Sequence, residues 1–314
     1  MNYIISNSEI SAQISSKGGE LQSVRSAAGK EYLWQGDTEI WEDRAPNLFP
    51  YIARLTEGSY WFQEKKYHMD IHGFLPSSEM EFVEKTEDSL ALKLETSEET
   101  LKQYPFNFVL LITWKVKGST LDITYQVENK DSRTMYFGIG GHPGFIVPLE
   151  ENRKFEDYRI DFGGEVIPQR VNMSEDYFVM EGEKPLELKD GRYLNLCHNL
   201  FDHDAIILKD MPRQVRINCA GGAEEITLTF PKMNYLGIWH RPFKTPDYVC
   251  VEPWSSLPSR KGIVEDIEKQ PGLISLESGK TYQNSWSITI SASQNKKKKI
   301  EKSVDSPVGK CYSN

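Results

Sequence analysis

The feature that most constrains this chain is a hydrophobic period of two. Leu121-Asp122-Ile123-Thr124-Tyr125-Gln126-Val127 alternates apolar and polar side chains, as do Leu90 to Leu94 and Ile226 to Phe230. Successive side chains of a strand point to opposite faces, so this alternation puts one face on a core and the other in water. Antiparallel sheets read this way. Val215 to Cys219 leads through Ala220-Gly221-Gly222 into Ile226 to Phe230, and two alternating runs around a glycine pair predict a hairpin. Helical signals are few and short. Ser97 to Gln103 precedes Pro105, and Lys261 to Gln270 precedes Pro271-Gly272. Many short strands with Gly, Pro, Asn and Asp between them predict an all-β fold, a large antiparallel β-sandwich with a few short helices.

Residues 1–294 show no repeat or linker and are expected to form one domain. After them the character changes. Residues 295–314 hold six lysines, four of them consecutive at Lys296 to Lys299, and two acids. Like charges repel and little apolar surface is available to bury, so a basic, disordered tail is expected there. The whole chain carries 37 basic and 46 acidic side chains, which leaves 31 and 44 for the first 294 residues. An acidic body argues against nucleic acid as a partner, because phosphate binding needs a basic footprint. No apolar run approaches the roughly 20 residues that span a membrane, and no signal peptide is visible at the N-terminus. Cys197, Cys219, Cys250 and Cys311 lack CxxC spacing, so neither a zinc ribbon nor a disulfide scaffold is expected. These readings point to a reduced, cytoplasmic protein, a monomer or homodimer.

Several polar clusters interrupt the strand background. Gly140-Gly141-His142-Pro143-Gly144-Phe145 holds an imidazole in an irregular backbone; it reads either as a functional histidine or as a structural turn. Ile71-His72-Gly73-Phe74 is a second such element. With His68 it makes an i, i+4 pair, but Gly73 and Pro76 oppose the helix that zinc binding would need, and no metal is expected. Arg54 ends the otherwise apolar run Asn47 to Arg54 and should meet a carboxylate or a ligand oxygen. Glu252 sits within Tyr248 to Trp254. Buried, it would need a partner, and its pKa would rise toward the range of a general base; on an edge strand it would face water. Trp239 and Trp254 add aromatic surface. Aromatic rings among carboxylate, histidine and arginine suit a polyhydroxylated ligand, whose C–H faces lie on the rings. Nucleotide and serine-hydrolase motifs are missing.

Taken in order, these elements resemble the aldose 1-epimerase (galactose mutarotase-like) family, and its LacX-type branch in particular. The resemblance runs over roughly residues 1–290. It is carried by Gly18-Gly19-Glu20-Leu21, Ala45 to Arg54, His72-Gly73-Phe74, Gly141 to Phe145, Phe201-Asp202-His203-Asp204, Gly237-Ile238-Trp239 and Val251-Glu252-Pro253-Trp254. It implies a β-supersandwich that interconverts the α and β anomers of a hexose without cofactor or metal. By motif position, Glu252 is the expected base and His142 the expected acid. His142 must then start protonated, which an adjacent carboxylate or open solvation would favour. Arg54, His72 and Asp202 fall at sugar-binding positions, and Trp239 is an expected stacking wall. In the family the aspartate usually sits in an Asp-His-Asn string; here Asp204 competes with Asp202. The Val-Glu-Pro-Trp string around Glu252 also departs from the Leu-Glu-Thr-Gln of the better-known mutarotases, which leaves the sugar open. The alternatives are a hexose-6-phosphate mutarotase, with Arg241 and Lys244 near the anion, and a non-catalytic sugar-binding or sensing protein.

Overall fold

A computed structural model describes residues 1–292; the basic tail expected after residue 294 lies outside the described residues. Two large antiparallel sheets carry the fold. At the centre of the nine-stranded sheet, Thr120–Asn129 lies between Phe108–Lys117 and Thr281–Ala292. Register explains the alternation seen in sequence. Leu121 faces Val116 and Ile288 across the strands, and Ile123 faces Trp114 and Trp286. All six are buried, each aliphatic among them worth about 1.5–3 kcal/mol. The intervening Asp122 and Gln126 are exposed. The predicted hairpin is present as Gln214–Cys219 with Glu224–Thr229, and Gly221 supplies a positive φ of 70° at its turn.

One helical expectation is met and one is not. Glu98–Gln103 is helical, and Ser97 caps it. The Thr100 N–H donates to Ser97 Oγ at 3.2 Å, while the Ser97 N–H donates to Thr100 Oγ1 at 2.8 Å. Lys261 to Gln270 forms turns instead of a helix. Its backbone is committed elsewhere: the Trp61 N–H donates to Glu265 O at 2.7 Å and the Ile267 N–H to Trp61 O at 3.0 Å. The buried Glu265 carboxylate also accepts two hydrogen bonds from the Arg260 guanidinium, at 2.9 and 2.7 Å.

The eight-stranded sheet builds the site. Its order runs Val179–Pro185, Gln169–Met173, Ile206–Lys209, Tyr235–Trp239, Tyr248–Trp254, Gly140–Gly141 and Asn47–Leu48, with Gly144–Ile146 also paired to Tyr248–Trp254. A buried hydrogen-bonded chain ties this sheet to the nine-stranded one. The Trp286 indole N–H donates to Tyr125 Oη at 2.9 Å, and the Tyr125 hydroxyl donates to Asn47 Oδ1 at 2.7 Å. Asn47 in turn donates to the carbonyls of Gly18 and Gly19. The sheet segment that leads into His142 is therefore anchored from beneath.

Candidate active site

Cross-strand register brings the two central side chains together. Gly140 pairs with Trp254 and Gly144 with Cys250, so His142 falls opposite Glu252. Pro143 cannot donate a ladder hydrogen bond, but its carbonyl accepts one from the Val251 N–H at 3.2 Å, and the His142 N–H donates to Pro46 O at 2.9 Å. The glycines of this motif serve space rather than unusual dihedral angles, since neither Gly141 nor Gly144 has a positive φ. A Cβ on Gly141 would lie 2.5 Å from the Trp286 ring, and one on Gly144 would lie 2.7 Å from the Trp41 ring. Glycine thus lets one tryptophan close on the motif from the core and another from the cavity.

His142 and Glu252 are 8% and 1% exposed, with Nε2 and Oε2 3.2 Å apart. The contact lacks hydrogen-bond geometry: Glu252 Oε2 has no hydrogen-bond partner, and neither has His142 Nδ1. Burial raises the Glu252 pKa well above the usual carboxylate range, and the Asp204 carboxylate adds to this. The Trp254 indole offsets part of the rise, although its N–H makes no hydrogen bond of good geometry. Burial, with His72 nearby, pushes the His142 pKa well below its ordinary value. The expectation that an adjacent carboxylate or open solvation keeps the His142 pKa near neutrality is thus not met, although a carboxylate, that of Glu252, does lie beside it. Each residue by itself favours its neutral form.

A cavity of about 260 Å³ opens above this pair, lined among others by Trp41, Arg54, His72, Asp204, Trp239 and Arg241. His72 sits at a positive φ of 67°, where its Nδ1 accepts the Ala53 N–H at 3.2 Å. That bond leaves the proton of the neutral ring on Nε2. Burial and the Arg54 charge push its pKa down to about 4, so it stays neutral at pH 7. The Arg54 guanidinium lies over the Tyr177 ring at 4.7 Å and makes no ion pair among the described residues. The carboxylate expected for it is replaced by an aromatic face and the open cavity.

The structure brings His142, Glu252, Arg54, His72 and Trp239 together, but not Asp202. Asp202 follows the short 3-10 helix His198–Phe201, and its Oδ1 accepts the Phe243 N–H at 3.4 Å, outside this cavity. Asp204, at a positive φ of 69°, lines the cavity instead and accepts the Trp239 indole N–H at 2.7 Å. Sequence reasoning also missed Trp41. Its ring lies 5.1 Å from His142 and edge-on to Trp239 at 5.6 Å. The signal available was a tryptophan just before the Ala45-Pro46-Asn47 motif. Lys244 does not line the cavity. His68, the other half of the histidine pair, is bonded to Ser59 Oγ at 2.8 Å and stands apart from the site.

His142, Cys250 and Glu252 place nitrogen, sulfur and oxygen atoms within 4.8 Å of one another. Burial, with the Glu252 carboxylate nearby, raises the Cys250 thiol pKa well above its ordinary range.

The sandwich and the residues at its cavity define a galactose mutarotase-like fold. The sequence pattern of the aldose 1-epimerase family matches residues 1–289, and the chain belongs to that family. It is 30% identical over 302 residues to the protein LacX of Lactococcus lactis subsp. lactis, covering 92% of this chain and 99% of the relative. Among solved structures, a galactose mutarotase related enzyme from Lactobacillus acidophilus superimposes with a TM-score of 0.89 at 32% identity, covering 94% of this chain and 99% of that one. A galactose mutarotase-like protein from Lactobacillus casei gives a TM-score of 0.87 at 29% identity, covering 92% and 100%. Family membership supports a mutarotase-like function and a small-molecule sugar as partner.

Proposed function

We propose that this protein is an aldose 1-epimerase that interconverts the anomers of a neutral hexose. The observation that carries the reading is the buried His142–Glu252 pair, with unpartnered polar atoms, at the floor of a tryptophan-walled cavity. A structural sandwich has no use for it.

Glu252 takes the proton of the C1 hydroxyl while His142 gives one to the ring oxygen. The bond from C1 to the ring oxygen breaks and C1 becomes the aldehyde carbon. Rotation about C1–C2 presents its other face, and the same transfers run backward close the ring. Both reacting oxygens are bonded to C1, so two groups 3.2 Å apart can serve them together. The pair holds one proton throughout. With the ring closed and ready to react, that proton is on His142; with the chain open, it is on Glu252. Burial favours the second arrangement, which has no charges, so ring opening relaxes the site. Each group is expected to contribute about 10²–10⁴-fold.

His72 Nε2–H and the Arg54 guanidinium are available to sugar hydroxyls, and Trp239, held by Asp204, offers a ring face to the sugar C–H groups. Arg54 and Arg241 share the cavity with Asp43, Asp204 and Glu252, which gives no cationic surplus for a phosphate. That balance favours the free sugar over the 6-phosphate. Polarimetry on freshly dissolved α-D-glucose and α-D-galactose, with and without a 6-phosphate, tests the reading. Acceleration of the free sugars is expected; faster turnover of the phosphates alone would overturn the substrate assignment.

A further inference from the structure

Trp254 is buried on the wall of the cavity, and its indole N–H makes no hydrogen bond. It stands two residues after Glu252 on the same strand, so both side chains point to one face of the sheet. Glycines on the two flanking strands make room for the ring. Gly140 pairs with Trp254 on one side, and Gly237 pairs with Glu252 on the other. A Cβ on either would lie 3.0 Å from the indole, at Cδ1 from Gly140 and at Cζ2 from Gly237. Nε1 lies between those two atoms on the same edge of the ring. The N–H edge therefore crosses the strand beside Glu252, whose buried Oε2 also has no hydrogen-bond partner. A buried donor beside a buried acceptor, both unsatisfied, calls for an explanation.

The proton shared by the pair supplies one. While Glu252 is protonated, as burial favours, it needs little from the indole. Once that proton passes to His142, the carboxylate can only accept hydrogen bonds, and the Asp204 carboxylate opposes its charge. A buried charge is costly without donors. His142 Nε2 supplies one from across the strands, 3.2 Å away. Resting on the mutarotase reading, we propose that Trp254 is a positioning residue for ring opening: its indole N–H donates to the Glu252 carboxylate when the proton moves to His142, and holds the base in its charged, reactive form.

Two substitutions in the whole protein test this. Trp254→Phe keeps an aromatic ring and removes the donor. Trp254→Gln loses the ring but keeps an N–H donor the same number of bonds from Cα. Packing alone ranks phenylalanine above glutamine; the donor role ranks glutamine above phenylalanine. With rates taken per folded molecule, Trp254→Phe should lose about 10- to 100-fold in kcat with KM little changed, and Trp254→Gln should lose less. A Trp254→Phe rate equal to the wild type, or above that of folded Trp254→Gln, overturns the proposal. A measurement without turnover stands beside these. The infrared C=O stretch of protonated Glu252, assigned by its loss in Glu252→Gln, should persist in Trp254→Phe to a pH about 1–2 units higher than in the wild type, the same 10- to 100-fold. The ionisable groups around Glu252, namely His142, Asp204, Cys250 and Tyr248, are unchanged by the substitution. A band that titrates alike in both proteins, or in neither, also overturns the proposal. A wild type that anomerises no sugar would overturn the catalytic reading, and the infrared shift would still decide whether Trp254 serves the Glu252 carboxylate.

Discussion

Glu252→Gln separates two descriptions of the buried pair. Glutamine keeps the shape and removes the titration. Burial has raised the folded-state pKa of Glu252 well above its ordinary 4.5. Between those two values the folded chain holds a proton that the unfolded chain has lost, so wild-type stability falls as pH rises through the window. The slope is about 1.4 kcal/mol per pH unit. His142 has the opposite shift, and its contribution is lost as pH falls below 6.5. That term ends above pH 6.5, where the imidazole is neutral in folded and unfolded chains alike, so the comparison at pH 7 and 8 is free of it. Glu252→Gln should therefore match the wild type near pH 4.5 and gain on it by about 1.4 kcal/mol per unit above, until the folded-state pKa is passed. Urea unfolding followed by tryptophan fluorescence at pH 5, 6, 7 and 8 reads the difference directly. If the resting pair were instead an ion pair, the substitution would strand a buried imidazolium and cost about 3–5 kcal/mol at neutral pH. A loss of that size would refute the neutral-pair argument.

Three further outcomes follow from the same geometry. Gly141→Ala puts a methyl group 2.5 Å from the Trp286 ring; overpacking of about 1–3 kcal/mol should lower the melting temperature by several degrees, and an unchanged melt would contradict the close-packing role. Asp204→Ala removes the acceptor of the Trp239 indole and should raise KM about 10- to 100-fold, while Asp202→Ala should change monosaccharide KM much less; the reverse order would restore the sequence assignment. Because one proton belongs to the pair and not to His142 alone, kcat/KM should hold steady between pH 6.5 and 7.5, whereas a fall above pH 6.5 would mean that a separately titrating imidazolium is the acid.

The sheets were legible because the period-two runs at Leu90, Leu121 and Ile226 needed only one buried face. The Ser97 cap was legible for a similar local reason. The second helix was not: the long-range hydrogen bonds that tie Glu265 and Ile267 to Trp61 override its local pattern. At the site, motif order brought out His142, Glu252, Arg54, His72 and Trp239, all of which line one cavity. Of the neighbouring carboxylates Asp202 and Asp204, only the second, at a left-handed φ of 69°, lines the cavity, and the local pattern does not distinguish them. Trp41 escaped because its importance comes from the room left by Gly144, more than a hundred residues away in sequence. The lowered pKa of His142 escaped too, since it depends on how completely the surrounding tertiary structure excludes water.

The central claim is that His142 and Glu252 together move the protons of ring opening. Its most direct measurement is the polarimetric rate of anomerisation of freshly dissolved α-D-glucose and α-D-galactose by the wild type, His142→Asn and Glu252→Gln. The wild type should accelerate equilibration of at least one sugar, and each variant should lose about 10²–10⁴-fold of that rate while remaining folded. Folded variants that keep the wild-type rate, or a wild type that accelerates neither these sugars nor any disaccharide or phosphate, would contradict it.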